Sequence, residues 1–133
     1  MSLAQSLERF PSFVRFALVG TVGFIVDGGV LQLLVSLAGW GPIEARVVSF
    51  PTAVLATWLL NRSITFRDEG PALRSLMRYV VVSLGGAAVN FLVYTVLILS
   101  SSAMAAWPII PLAIASIVAL AFNFVGSKHF AFR

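Results

Sequence analysis

Four apolar runs, at 16–37, 43–60, 79–99 and 107–126, take up most of the chain and leave only short connections between them. Each is near the ~20 residues that an α-helix needs to cross about 30 Å of hydrocarbon. Charged residues make up 11% of the 133 positions, against about 25% in soluble domains. Mean hydropathy is +0.99. A surface so poor in charge is suited to lipid, not water. Connections this short make neighbouring helices antiparallel, so the expected fold is an all-α transmembrane four-helix bundle. The segment 1–13, with Leu3, Leu7 and Phe10 at helical spacing, reads either as a short interfacial helix or as a frayed tail.

The net charge is +4, and its basic residues punctuate the apolar runs instead of forming blocks. That pattern points to lipid headgroups and away from nucleic acid. Arg9 and Arg15 precede the first run, Arg62, Arg67, Arg74 and Arg78 lie between the second and third, and Lys128 and Arg133 close the chain. The connection near Ser100 carries no charge. The positive-inside rule then puts both termini and the central loop in the cytoplasm, in a multi-pass protein of the cytoplasmic (inner) membrane. Trp40, Trp58 and Trp107 fall near the ends of runs, where indole rings favour the interface.

The sequence repeats itself. Arg15-Phe16, Gly23 and Asp27 recur sixty-three residues later as Arg78-Tyr79, Gly86 and Asn90. Pro42, Thr57 and Phe66-Arg67 recur sixty-six residues later as Pro108, Asn123 and Phe132-Arg133. One membrane domain over 1–133, built from two parallel-repeat helical hairpins at about 14–67 and 77–133, is expected. A pseudo-two-fold along the membrane normal would relate them. Asn61-Arg62-Ser63-Ile64-Thr65-Phe66 and Ser127-Lys128-His129-Phe130-Ala131-Phe132 close the two hairpins. Their polar–apolar alternation predicts short extended segments at the cytoplasmic exits, at 63–66 and 129–132, paired with each other.

Within the spans three polar positions stand out. Asp27 lies twelve residues beyond Arg15, roughly 18 Å into the membrane at about 1.5 Å per residue. An unpaired ionisable group there costs at least about 2.5–3.5 kcal/mol, so it should face protein or water. Arg46 has a similar depth and the opposite sign, and a planar guanidinium also suits phosphate. Snorkelling to the outer interface is the plainer alternative for Arg46. Asn90 replaces Asp27 in the second repeat. Ser49, Ala53, Thr57 and Asn61, with their equivalents Ala115, Ala119, Asn123 and Ser127, form four-residue stripes. These read as close packing, or as a polar track towards the Asn61-Arg62 exit. Arg62 and Lys128 stand where they can reach an anionic headgroup, or simply anchor the chain at the interface. With no Cys, one His (His129) and no paired carboxylates in a span, neither catalytic nor metal-ligating residues are found, no cofactor is expected, and an enzyme is argued against.

Arg15-Phe16-x-x-Val19-Gly20 with Asp27, and Asn61-Arg62-x-x-Thr65-Phe66, resemble the GtrA-like family of small four-helix membrane proteins, from about Arg15 to the end of the chain. The second repeat departs from the pattern, with Ser127-Lys128 where Asn-Arg would stand. The resemblance implies translocation (flipping) of a polyprenyl-phosphate-linked sugar in cell-envelope polysaccharide or O-antigen glycosylation. In some relatives it implies anchoring or recruiting a membrane glycosyltransferase. On that basis Arg62, Arg67 and Lys128 would attract the lipid phosphate. Asn61, Thr57 and Asn123 would bind sugar hydroxyls, and Asp27 and Arg46, with Asn90 as counterpart, would form a polar step within the membrane. The expected partners are the lipid-linked sugar, membrane lipids and, in a homo-oligomer, further copies of the chain. A small cation antiporter coupled to Asp27 is a third reading.

The placement of Arg and Lys predicts that single cysteines at Ser102 and Gly70 react with impermeant reagents from opposite sides of the membrane, Gly70 from the cytoplasm. Cytoplasmic labelling of Ser102 would overturn the topology.

Overall fold

The structure is a computed structural model describing residues 2–133, with the side chain of Ala4 left aside. Among the described residues it is all-helical, without strands. The elements are α1 (Leu3–Leu7), α2 (Ser12–Ser36), α3 (Pro42–Leu60), a π-turn (Asn61–Thr65), α4 (Ala72–Ser100), α5 (Ser102–Ala106), α6 (Ile109–Gly126) and a second π-turn (Ser127–Ala131). Four of the helices, counting each π-turn with the helix it ends, are long and apolar enough to cross a membrane. The chain divides into two compact units, Met1–Glu69 and Gly70–Arg133.

In the first unit α2 and α3 form a helical hairpin. Its connection is built from turn chemistry. Gly39 takes a left-handed φ of 73°, and the Trp40 amide donates back to the Leu34 carbonyl at 3.0 Å, closing α2 in the manner of a Schellman cap. Pro42 then opens α3, and the Glu44 carboxylate accepts from the Gly41 amide at 3.1 Å. In the second unit α4 and α6 make the hairpin. The expected Ser-rich turn contains the short helix α5, capped by Ser101, whose Oγ accepts from the Met104 amide at 3.4 Å. The interfacial helix expected at 1–13 is the single turn of α1, and Met1 lies outside the described residues. Its start is a reciprocal capping box: the Gln5 amide donates to Ser2 Oγ at 3.2 Å and the Ser2 amide to Gln5 Oε1 at 2.9 Å.

Each hairpin buries a narrow seam. In the first unit it consists of Phe16, Val19 and Gly23 against Ala45, Ser49, Ala53, Asn61 and Thr65. In the second, Tyr79, Val82 and Gly86 meet Pro111, Ala115, Ala119, Ser127 and Ala131. These buried sets are the same positions displaced by sixty-three residues on one helix and sixty-six on the other. The four-residue stripe is therefore the packing surface. Glycine is required where the helices come closest. A Cβ at Gly23 would collide with Cγ2 of Thr57, and one at Gly86 with the Asn123 amide. Without a hydrophobic force between helices in lipid, such close backbone approach is what holds them.

The extended segments expected at 63–66 and 129–132 do not form; both are π-helical, and a strand pair cannot exist there. The alternation of side chains is real but covers too few residues to outweigh the backbone requirement. At a membrane edge unpaired amides and carbonyls are costly. The i→i+5 ladder satisfies them within the chain: Phe66 N–H donates to the Asn61 carbonyl and Phe132 N–H to the Ser127 carbonyl, both at 2.9 Å. Geometry favours the wider turn. A strict four-residue stripe outruns the 3.6-residue turn and drifts around an α-helix. A π-turn holds more residues and takes back that drift, so Thr65 and Ala131 stay on the buried side.

Overpacking a close helix crossing costs about 1–3 kcal/mol. Gly23→Ala should lower the unfolding free energy in detergent by that order, and Thr57→Ser, which removes the colliding methyl, should restore most of it. Gly20→Ala, with nothing within 4 Å of the added methyl, is the neutral control. An equal loss at both glycines would contradict the packing described.

Candidate functional site

The end of each hairpin opposite its connection, where one helix begins and the other finishes, is closed by an arginine and an aromatic ring. In the first unit Arg15 Nη2 donates to the Thr65 carbonyl at 3.1 Å, and the Phe16 and Phe66 rings lie 6.1 Å apart, tilted by 57°. In the second, Arg78 Nη1 donates to the Phe130 carbonyl at 3.2 Å, and the Tyr79 and Phe132 rings lie 5.6 Å apart, tilted by 49°. The last carbonyls of a helix have no intrahelical donor, and a cation there also meets the negative end of the helix dipole. Arg15 and Arg78, which orientation arguments treat as interface anchors, are thus also helix caps. The Arg-aromatic dipeptide before each repeat was their visible signal.

Around the first closure the charged side chains are largely engaged with each other. Arg62 lies over the Trp58 ring, 5.7 Å from its centre, and 3.8 Å from the Asp68 carboxylate. Asn61 is buried, and its Oδ1 accepts from Thr65 Oγ1 at 2.8 Å. Arg67 pairs with Glu8, tying the segment after the π-turn to the end of α1. Its φ of 48° is left-handed, a conformation that costs a non-glycine residue of order 1–3 kcal/mol. A helix usually leaves this way through glycine, so an arginine here has a use for its side chain. Around the second closure Lys128 is exposed, with Nζ 5.8 Å above the Phe124 ring, and His129 is exposed beside it.

Farther along the first hairpin Asp27 and Arg46 meet. Arg46 Nη1 donates to both carboxylate oxygens, at 2.6 and 2.5 Å, and the guanidinium lies 5.8 Å from the Phe50 ring centre. The carboxylate is the better shielded partner, its side chain 21% exposed against 48% for Arg46. Glu44, held by the Gly41 amide, does not compete. In the second unit the equivalent of Asp27 is Asn90, whose amide lies 3.5 Å from Ser116 Oγ and lines an open pocket of about 440 Å³ with Tyr94, Phe91 and Pro108. One hairpin therefore carries an ion pair where the other carries a neutral amide beside a cavity.

Thr57 Oγ1 donates to the Ala53 carbonyl at 2.9 Å, with the Val54 carbonyl at 3.1 Å, which turns it into the helix seam. The Asn123 Oδ1 is buried with no hydrogen-bond partner and so keeps acceptor capacity. Ser49 and Ser127 are likewise buried with unpartnered hydroxyl oxygens. Thus the first unit brings together Asn61, Arg62 and Arg67 at one closure and Asp27 with Arg46 farther in. The second unit places Lys128 and Asn123 on successive turns of one helix. Among the described residues no group of His, Asp and Glu has metal-ligand geometry.

The ion pair makes a direct prediction. Removing one partner strands a charge, whereas removing both does not. In a cycle of Asp27→Ala, Arg46→Ala and the double variant, each single change should destabilise the protein more than the double. A coupling of about 0.5–3 kcal/mol is expected from unfolding in lipid nanodiscs, and a coupling of zero would dissolve the pair.

The family model of the GtrA/DPMS transmembrane domain matches residues 15–132. Dolichol-phosphate mannosyltransferase of Pyrococcus furiosus is 34% identical over 88 residues, covering 64% of this chain and 24% of that protein. The chain thus spans about a quarter of the length of the curated relative it matches. The family match begins at the arginine that caps the first π-turn and ends at the phenylalanine that closes the second; with both hairpins inside it, this multi-pass membrane chain belongs to the GtrA/DPMS transmembrane-domain family.

Proposed function

We propose that the chain serves the glycosylation of cell-envelope polysaccharide or O-antigen by recognising a polyprenyl-phosphate-linked sugar and moving it across the inner membrane. The observation that carries this reading is the match, across both hairpins, to a transmembrane family shared with a dolichol-phosphate mannosyltransferase. The two closures lie at the cytoplasmic face, with both termini. Arg62 and Lys128 attract the lipid phosphate there, helped by Arg67. A phosphate can compete for Arg62 because its contact with Asp68, at 3.8 Å, is long for an ion pair. Asn61 and Thr57, turned inward, fix the π-turn and the seam that present Arg62. Asn123 offers an acceptor to a sugar hydroxyl. The Asp27–Arg46 pair and Asn90 supply polar groups at membrane depth, which lower the cost of bringing a hydrated headgroup inward. The matched seams and matched closures support an internal repeat. A single chain of four spans encloses little volume, so a homo-oligomer is the working unit.

A second reading rests on a separate observation. The relative is a transferase of which this chain spans only 24%. A chain corresponding to a membrane portion can anchor a glycosyltransferase beside its lipid substrate and translocate nothing. In neither reading is a catalytic step assigned to the chain itself.

A fluorescent polyprenyl-phosphate sugar in proteoliposomes separates the two. Translocation predicts protein-dependent exchange between leaflets, whereas recruitment predicts no exchange but co-purification with a glycosyltransferase. Arg62→Ala should reduce the active property about tenfold, as loss of a charged hydrogen bond implies. Arg133→Ala should leave it nearly unchanged, with insertion intact in both. Equal effects would deny the first closure a special role.

A further inference from the structure

We propose that the groove between α1 and the α2–α3 hairpin is a binding site for the isoprenoid chain of a polyprenyl phosphate, with Arg15 at its mouth receiving the phosphate. The proposal rests on the lipid-phosphate reading above and adds a place for the tail. The groove measures about 370 Å³. Its walls are Leu3 and Leu7 from α1, Leu18 and Val22 from α2, and Leu60 and Ile64 from α3 and its π-turn. From Leu18 to Val22 it follows one turn of α2, so it runs along the helix instead of lying flat on the surface.

Arg15 is the one charged residue in the lining. A guanidinium has five N–H donors. Its contact to the Thr65 carbonyl uses a single nitrogen, Nη2, and its buried Nε has no hydrogen-bond partner. Positive charge with unspent donors at the end of an apolar channel is complementary to an amphiphile whose anion sits directly on its chain. A polyprenyl phosphate has that form, since the phosphate is esterified to the first carbon of the prenyl chain. A diacyl phospholipid places a glycerol and two ester groups between phosphate and tails, and the groove has one apolar channel with a single charged residue. The α1 wall is held by the Glu8–Arg67 pair, which explains why an arginine occupies the left-handed position after the π-turn. That latch keeps the one-turn helix over the groove, where its own short length could not.

The test uses the full chain in phosphatidylcholine nanodiscs and geranylgeranyl phosphate carrying a diazirine on its terminal isoprene. Irradiation should label peptides containing residues 3–7 or 18–22. Unlabelled geranylgeranyl phosphate should compete about tenfold better than geranylgeraniol or phosphatidylglycerol, the difference expected of one charge-assisted contact. Val22→Trp and Leu7→Trp fill the groove from opposite walls, and each should cut the labelling about tenfold while helical circular dichroism is retained. Saturable labelling elsewhere, indifferent to both variants, overturns the groove and leaves the lipid-phosphate reading standing. Groove labelling displaced equally well by phosphatidylglycerol overturns the isoprenoid assignment. Absence of saturable labelling anywhere overturns both.

Discussion

A helix that ends at the edge of a membrane leaves carbonyls with no donor, in a place where water is scarce. Both hairpins meet this constraint in the same way. The chain widens into a π-turn, so its own amides reach one residue farther back, and an arginine from the opposite helix supplies a donor to the last turn. Arg15 to Thr65 and Arg78 to Phe130 are the two instances. The adjacent ring pairs, Phe16–Phe66 and Tyr79–Phe132, seal the same corner. The positions of Asn61, Arg62 and Lys128 all follow from these closures, and so does the direction in which the chain leaves the helix. The features with a functional reading are thus by-products of how a hairpin is finished.

The seams obey a second economy. Small side chains recur every fourth residue, and a glycine opposite Thr57 or Asn123 lets the backbones approach. The buried positions of the two hairpins correspond one for one, yet their polar content does not. Ser49 is matched by Ala115 and Thr65 by Ala131, while Thr57 is matched by Asn123. The first hairpin spends its polar groups on internal hydrogen bonds and an ion pair. The second retains an unpartnered Asn123 oxygen, an exposed lysine and an amide beside an open pocket. Similar frames with different polar fittings suit a protein that handles an amphiphile with unlike ends.

Much of this was legible from residue order, because lipid imposes so strict a grammar. Span length, the antiparallel pairing of neighbours, the small-residue stripe and the depth match of Asp27 with Arg46 all follow from periodicity and the cost of charge in hydrocarbon. The endings of α3 and α6 were misread. Four alternating residues, Ser63 to Phe66, carry too little information to distinguish an extended strand from the tail of a helix. The better clue was that Thr65 and Ala131 continue the four-residue stripe beyond Asn61 and Ser127. Arg15 and Arg78 were seen as cations near an interface but not as caps, since the carbonyls they serve are about fifty residues away in sequence. Glu8 with Arg67, and the groove beneath α1, depend on where a one-turn helix folds back, and no local pattern encodes that.

The Asp27–Arg46 pair also bears on how the chain is made. A ribosome delivers α2 to the membrane before Arg46 has emerged, so Asp27 must wait at the translocon without its counterion. The nineteen residues between them include the tight connection at Gly39, which lets α3 follow immediately. Release of α2 and α3 as one neutralised hairpin is thereby favoured over release of α2 alone. The fourth helix element, α4, carries Asn90 at the equivalent point and is under no such obligation. The two halves of one short polypeptide, alike in their packing, are thus set apart during biogenesis by a single carboxylate.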